Sequence, residues 1–287
     1  TSITKSNDYW KGKGINYRMH PENVWILKAA KIDVCSLANN HVLDWGYSGL
    51  RETLDSLTEA NIKIVGAGRN LSEAQMPAVK KVPSKGRVVV FAFGFGTSGI
   101  PSSWGARDEK PGVYLLKDLG DKSLRDIQEK VRRVKHAGDI VVASIHWGSN
   151  WGYGIPRQQT VFAHRLIDGA GVDIIHGHSS HHVRAIEVYN DKLILYGCGD
   201  FINDYEGISG HEEFRADLSL MYFAMVDPST GKLLGLQMTP TKIRQFQVIR
   251  ASNVDTVWLK DTLNREGSSF GTHVIVGKDN RLTLQWD

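Results

Sequence analysis

The chain has 287 residues, 41% of them hydrophobic and 23% charged, with a net charge of +4. That composition supports a sizeable core, and the slight basic excess gives no indication of general nucleic-acid binding. No apolar run approaches a membrane span, no signal peptide is visible, and two cysteines, Cys35 and Cys198, exclude a disulfide framework or a Cys-rich zinc site.

The first ten residues read as loop, with no initiator methionine. Residues 1–20 form a basic, Gly-punctuated segment carrying Lys5, Lys11, Lys13, Arg18 and His20, which reads as solvated surface. The sharper alternative is an arm that contacts an anionic substrate. Pro21 opens a short amphipathic helix that runs to about Lys31. Ile32 to Leu37 is a strand ending in Ala38-Asn39-Asn40-His41, with Asp44 and Gly46 beyond it. Helical spacing of Leu50, Leu54 and Leu57 follows over 48–60, then a strand over 62–65, so this part is β-α-β with parallel pairing.

A short helix at 72–76 precedes a hairpin of 79–82 with 87–93. The second strand runs into Gly94-Phe-Gly-Thr-Ser-Gly99, a G-x-G-x-x-G match. Ile100-Pro101 follows instead of a helix, so a dinucleotide site is rejected and a Gly-rich active-site loop is retained. A polar-faced helix spans 122–136. The buried strand 139–145 ends in His146-Trp147-Gly148-Ser149-Asn150, and a helix spans 157–170.

The apolar run Val172 to Ile175 then leads into His176, His178, His181 and His182. The strand is expected to end with that run, leaving the four imidazoles in the loop beyond it, where open α/β sheets place ligands. Gly177 is expected to make the sharp turn. Several neutral imidazoles so close together can converge on one ion. A hairpin of 185–189 with 192–197 turns at Asn190-Asp191 and ends in Gly199-Asp200, with Asn203 and Asp204 beyond. Strands at 218–226, 232–237 and 242–249, a helix over 254–266 and a hairpin of 273–276 with 281–285 complete the chain. Without an internal repeat or low-complexity linker, one domain over 1–287 is the simplest account.

Four hydrophobic runs thus end in groups of ligand type: Asn40 and His41, His146, the histidine cluster, and Asp200 with Asn203. Nitrogen and oxygen donors without thiolate suit zinc, manganese or iron. Such a metal polarises phosphoryl or carbonyl oxygens and acidifies water.

Ala38-Asn39-Asn40-His41 with Asp44 and Gly46, His146-Trp147-Gly148, Gly177-His178 with His181, and Leu195-Tyr196-Gly197-Cys198-Gly199-Asp200-Phe201 resemble the CapA (poly-γ-glutamate capsule biosynthesis) family, which is similar to calcineurin-like metallophosphatases. The resemblance covers nearly the whole chain. It implies an α/β fold, a four-layer α/β/β/α sandwich of metallo-dependent phosphatase type, with the site at strand ends. By position it implies Asn40, His146 and His178 as ligands of one divalent metal and His181 as a ligand of a second. His41 is implied as the acid for a leaving group, with Asp200 as its catalytic companion. His176, His182, Asn39, Asp44 and Asn203 would orient these groups. Arg18, His20, Trp147 and Asn150 are candidates to contact substrate.

The family's opening Gly-Asp strand and later Asn-Leu-Glu have no counterpart here, so an N-terminal strand is expected to be missing. Asn150 stands where the family often has Glu, and Asp200 where it often has Asn. The resemblance leaves two functions open. One is a metal-dependent hydrolase of phosphoester or γ-glutamyl bonds, using one or two Mn, Zn or Fe ions. The other is a non-catalytic accessory subunit that holds an anionic polymer for a capsule synthase, as for proteins that work at the cell envelope. A plain structural role for the histidines is the third reading.

Overall fold

A computed structural model describes residues 1–203 and 209–287. Asp204, the last of the polar run after Gly199, lies outside the described residues. The chain is mixed α/β and groups into two compact units. One comprises Thr1–Ser123 with Val141–Trp147, the other Leu124–Ile140 with Gly148–Asp287. No helix among the described residues is long and apolar enough to cross a membrane.

In the first unit, β1 (Val34–Ser36) and β2 (Lys63–Val65) pair in parallel, Cys35 opposite Ile64, on either side of α1 (Gly46–Glu59). The expected β-α-β unit is therefore present. Leu50, Leu54 and Leu57 fall on one stripe of α1 and are buried at 0–2% exposure. They pack with Leu37, Val42, Leu43, Ile100 and Trp104. Asn61, at φ +59, ends the helix in the left-handed conformation that asparagine tolerates. β3 (Ala78–Val82) and β4 (Gly86–Phe95) form the expected antiparallel hairpin. β4 then lies between β3 and β6 (Asp139–His146), and its last residues pair in parallel with β5 (Leu115–Leu116).

The opening residues depart from the loop reading. Ser2–Ile3 pairs in parallel with Arg18–Met19, and Ser2, Ile3 and Thr4 are buried. Ser2 Oγ donates to Val42 O at 2.9 Å, and Ile3 N donates to Thr53 Oγ1 at 2.8 Å. Backbone and hydroxyl donors with buried partners explain how this polar stretch sits inside rather than in solvent.

The second unit holds α2 (Asp121–Val134) from Leu124 onward and α3 (Arg157–Ala170). It also holds β7 (Ile174–His178), β8 (Ile186–Tyr189) and β9 (Lys192–Leu195), in spatial order β8-β9-β7. β7 is parallel to β9, and β8 is antiparallel to it through a turn at Asn190 and Asp191, both at positive φ. A second sheet is wholly antiparallel. It contains β10 (Leu218–Val226), β11 (Leu233–Arg244), β12 (Gln247–Arg250), β13 (Thr272–Val276) and β14 (Leu282–Trp286). Its main order is β10-β11-β14-β13, with β12 on β11. Leu259 and Leu263 of α4 (Asn253–Gly267) join Ile186, Leu193, Leu220, Leu236, Met238 and Leu282 in one core.

Asp255 anchors the start of α4. It receives Arg215 Nη2 at 2.7 Å and Ser252 Oγ at 2.8 Å. Burial opposes its ionisation, yet Arg215, Ser252 and Lys242 together hold the carboxyl down to about 2. A depressed carboxyl stabilises the fold above its unfolded value and loses that contribution as pH falls through the folded value. The expected result is roughly 2 kcal/mol lost between about pH 4 and pH 2. Urea unfolding of wild type and Asp255→Asn across that range checks this: the variant should show the shallower acid slope.

Candidate functional site

In the first unit the chain leaves β1 and turns through Asn39, whose side-chain Oδ1 accepts from His41 N at 2.9 Å. Asp44 is fully buried and gathers its partners from the N-terminal segment. Its Oδ2 lies 2.7 Å from His41 Nδ1 and accepts from Tyr17 N at 2.7 Å. Its Oδ1 accepts from Lys13 Nζ, which also donates to Asn40 O and stands 2.9 Å from His41 Nδ1. Burial pushes the Lys13 ammonium below its ordinary range, and Asp44 opposes that. Burial likewise lowers the His41 imidazole, again opposed by Asp44. With Nδ1–H held by the carboxylate, Nε2 is the atom through which His41 can exchange a proton.

Beside this cluster, Asn40 Oδ1 and His146 Nε2 lie 3.2 Å apart, joining residues 106 positions apart in sequence. The Gly-rich loop after β4 reaches the same place. Ser98 Oγ is 3.0 Å from His146 O, and a Cβ at Gly99, at φ +76, would have Asn40 Nδ2 as its nearest neighbour at 3.5 Å. Donors about 2.1 Å from one ion stand roughly 3 Å from each other, so the Asn40–His146 spacing fits two ligands of one metal. Neither alone completes a coordination sphere. Among the described residues, no group of three or more His, Cys, Asp or Glu could hold an ion.

The other candidates in this unit have local roles. Arg18 lies over the Trp45 ring at 4.3 Å and donates to Ser6 O at 2.8 Å. His20 accepts from Glu22 N and caps the turn Pro21–Val24. Trp147 is buried at 1% exposure. Burial raises the Cys35 thiol to about 11 and, in the second unit, Cys198 to about 12, which keeps both as unreactive thiols.

In the second unit, β7 does not stop at Ile175. It continues through His176, Gly177 and His178, with His176 opposite Leu195 of β9. The expectation of four histidines in one loop is corrected. Ladder pairing carries the backbone two residues further than the apolar run, and the turn comes at Ser179, at φ +131, rather than at Gly177. Strand alternation places His176 and His178 on one face, ring centroids 5.2 Å apart. Burial takes His176 down to about 4.

Past the strand, two loops are tied together. Ser179 Oγ donates to Gly148 O at 3.1 Å, and His181 N donates to Asn150 O at 3.0 Å. Arg184, 2% exposed, donates from Nη2 to Ser149 O at 2.9 Å. His181 Nδ1 sits 2.9 and 3.1 Å from the two oxygens of Asp200, a second carboxylate–imidazole pair that leaves Nε2 outward of the contact. Trp151 lies against His181 at 5.3 Å and stacks on His211 at 4.2 Å. His182 is fully buried, donates from Nδ1 to Val183 O at 3.0 Å, and packs among Trp151, Tyr153 and Phe214. Burial lowers it to about 4, so it is a neutral core group whose contacts are aromatic rings. Asn203 is engaged in an interaction.

Three contributors escaped the sequence reading. Lys13 looked like one solvated lysine among several. His211 carried no local signal. Arg184, set between apolar Val183 and Ala185, did carry one: a cation within a buried run needs carbonyl partners.

Residues 1–205 match the family model described as bacterial capsule synthesis protein PGA_cap. The chain is 47% identical over 285 residues to a probable polyglutamine synthesis accessory protein of Mycobacterium tuberculosis, covering 99% of this chain and 75% of that one. It is 32% identical over 245 residues to the PGA biosynthesis protein CapA of Bacillus subtilis, covering 85% of this chain and 60% of that one. A solved structure, a novel phosphatase of Mycoplasma pneumoniae, aligns with TM-score 0.38 at 13% identity over 80% of this chain and 84% of that one. With its family model matched across most of its length, this chain belongs to the PGA_cap family of bacterial capsule synthesis proteins.

Proposed function

We propose that this chain serves the synthesis of a γ-linked glutamate-type capsule polymer as a metal-dependent hydrolase of phosphoester or γ-glutamyl bonds, within a single family domain. The observation that carries the reading is the placement of the His41–Asp44–Lys13 cluster beside the Asn40–His146 pair. Asp44 fixes the His41 tautomer, so that Nε2 hands a proton to the leaving group. Lys13 ties the Asn40 carbonyl to Asp44 and holds the turn that presents both residues. Asn40 and His146 act as ligands in the first unit, and His178 and His181 in the second, with Asp200 orienting His181. A divalent ion of Mn, Zn or Fe, when bound, supplies Lewis-acid polarisation of the phosphoryl or carbonyl oxygen.

One observation favours a second reading, a non-catalytic accessory protein that holds an anionic polymer for synthase subunits: the relative of 47% identity is a probable polyglutamine synthesis accessory protein. Hydrolysis of bis-p-nitrophenyl phosphate and of γ-glutamyl-p-nitroanilide, with manganese added, separates the two. The hydrolase reading expects wild-type turnover of at least one substrate above buffer and its loss in His178→Ala. Equal background rates in both proteins select the accessory reading.

A further inference from the structure

Arg184 lies in the second unit between the buried Val183 and Ala185 and is itself 2% exposed. A cation taken out of water needs an anion or several oxygens to replace its hydration. Among the described residues no carboxylate pairs with it. Every hydrogen bond of its side chain goes to one loop, from Nη2 to Ser149 O at 2.9 Å, Ser149 Oγ at 3.1 Å and Trp151 O at 3.4 Å. Burial pulls the guanidinium below its ordinary range, with no neighbouring charge to offset it. Two glycines clear the space that the side chain fills. A Cβ at Gly197 would stand 3.0 Å from both Cγ and Cδ of Arg184, and one at Gly148, at φ +79, would stand 3.3 Å from Nη1.

What this guanidinium grips is the seat of His181. The loop supplies Asn150 O, which accepts from His181 N at 3.0 Å, and Trp151, whose ring centroid is 5.3 Å from that of His181. Ser149 Oγ donates to Trp151 O at 2.6 Å, so the contacts to Ser149 and Trp151 act on one turn. On its other side, Arg184 N donates to Gly197 O at 2.9 Å, three residues before Asp200. Arg184 thereby joins the three segments that meet at His181: its own, the 148–151 loop and the one that carries Asp200. A guanidinium nitrogen stays in plane with its neighbours, which fixes the direction of its N–H bonds. A lysine ammonium turns freely on a flexible stem and fixes them less.

We propose that Arg184 is a positioning residue for His181: by gripping the 148–151 loop it holds the imidazole with Nδ1 on Asp200, which keeps Nε2 as the atom offered to a ligand. The consequence for chemistry rests on His181 being a metal ligand; the position of the imidazole does not. Without the grip, the Asn150 carbonyl and the Trp151 ring that seat His181 are free to shift, and the Nδ1–Asp200 contact is no longer enforced. Partners that orient a ligating histidine in this way are typically worth 10–100-fold in metal affinity.

Side-chain nitrogen NMR of the metal-free chain tests this at a pH where the imidazoles are neutral, with His181→Gln assigning the signal among the eleven histidines. Wild type should show one tautomer, with the proton on Nδ1. Arg184→Met keeps most of the stem and removes the grip, and should move the His181 signal toward the tautomer mixture of free imidazole. Arg184→Lys should move it the same way by less. Leu284→Ala, at a 2% exposed core position of β14, loosens the antiparallel sheet and should leave the signal in place. Should Arg184→Met fail to fold, Ser149→Ala decides. It alters an exposed side chain, removes the Oγ contacts to Arg184 and Trp151, and should shift His181 part of the way. Manganese titration of the same proteins should show affinity about 10–100-fold weaker in Arg184→Met. A His181 signal unchanged in Arg184→Met, or in Ser149→Ala where that variant decides, overturns the proposal. So does an equal shift in Leu284→Ala. A shifted signal in Arg184→Met, when even wild type holds no manganese, supports the positioning role and overturns only the reading of His181 as a ligand.

Discussion

Asp44→Ala is expected to destabilise the protein by about 3–5 kcal/mol, the cost of removing one partner from a buried charged cluster. Asp44 has no exposed surface, and three groups converge on its two oxygens: Lys13 Nζ, His41 Nδ1 and Tyr17 N. Removing the carboxylate leaves an ammonium that burial already disfavours, together with a backbone N–H that has lost its acceptor. It also releases the segment around Lys13 and Tyr17 from the turn that presents Asn40 and His41. Asp44→Asn keeps an acceptor for Tyr17 N and should lose less. Lys13→Met leaves the carboxylate with two donors and should also lose less. Urea unfolding midpoints, with an unchanged slope, give the ranking. A loss below about 1 kcal/mol for Asp44→Ala would mean that the cluster is far wetter than its burial indicates.

His41→Ala is expected to lower turnover by about 10²–10⁴-fold, the usual contribution of a positioned acid or base, while bound metal stays at the wild-type level. The separation follows from the contacts. His41 faces Asp44 and Lys13 through Nδ1, whereas the Asn40–His146 pair is built from other atoms. The substitution leaves the Lys13–Asp44 contact in place, so its effect on stability should be smaller than that of Asp44→Ala. Rates and metal content measured on the same preparations decide it. Undiminished turnover in His41→Ala removes the acid role; metal lost together with turnover makes His41 a ligand instead.

Local signals made much of the fold readable. α3 begins after Pro156 and ends at Gly171, at φ +70, with Phe162, Leu166 and Ile167 on its buried stripe, and the sequence reading reached the same bounds. The turn at Asn190-Asp191 and the parallel pairing of β1 with β2 follow equally from residue type and spacing. The end of β7 is not legible locally because glycine is a weak strand former, whereas the pairing of His176 with Leu195 is set by the neighbouring strand. The N-terminal segment shows the same limit. Thr4 and Lys13 look solvated in isolation, and only the chain's return past Asp44 and Glu52 supplies their partners. In the site, Asn40 and His146, two ligand-type residues at strand ends, lie 3.2 Å apart. Which imidazoles stay free for chemistry was not legible. His182 is consumed by Val183 O and three aromatic rings drawn from distant loops.

The central claim is that imidazoles at strand ends hold divalent metal, and metal content tests it most directly. Wild type, His146→Ala, His178→Ala and Lys135→Ala are equilibrated with manganese or zinc, freed of excess metal and measured by mass spectrometry. Lys135 binds Gly171 O and Asp173 and serves as the control. The account predicts retained metal in wild type and Lys135→Ala and a clear loss in each histidine variant. Equal metal in all four proteins, or none in any, would contradict it.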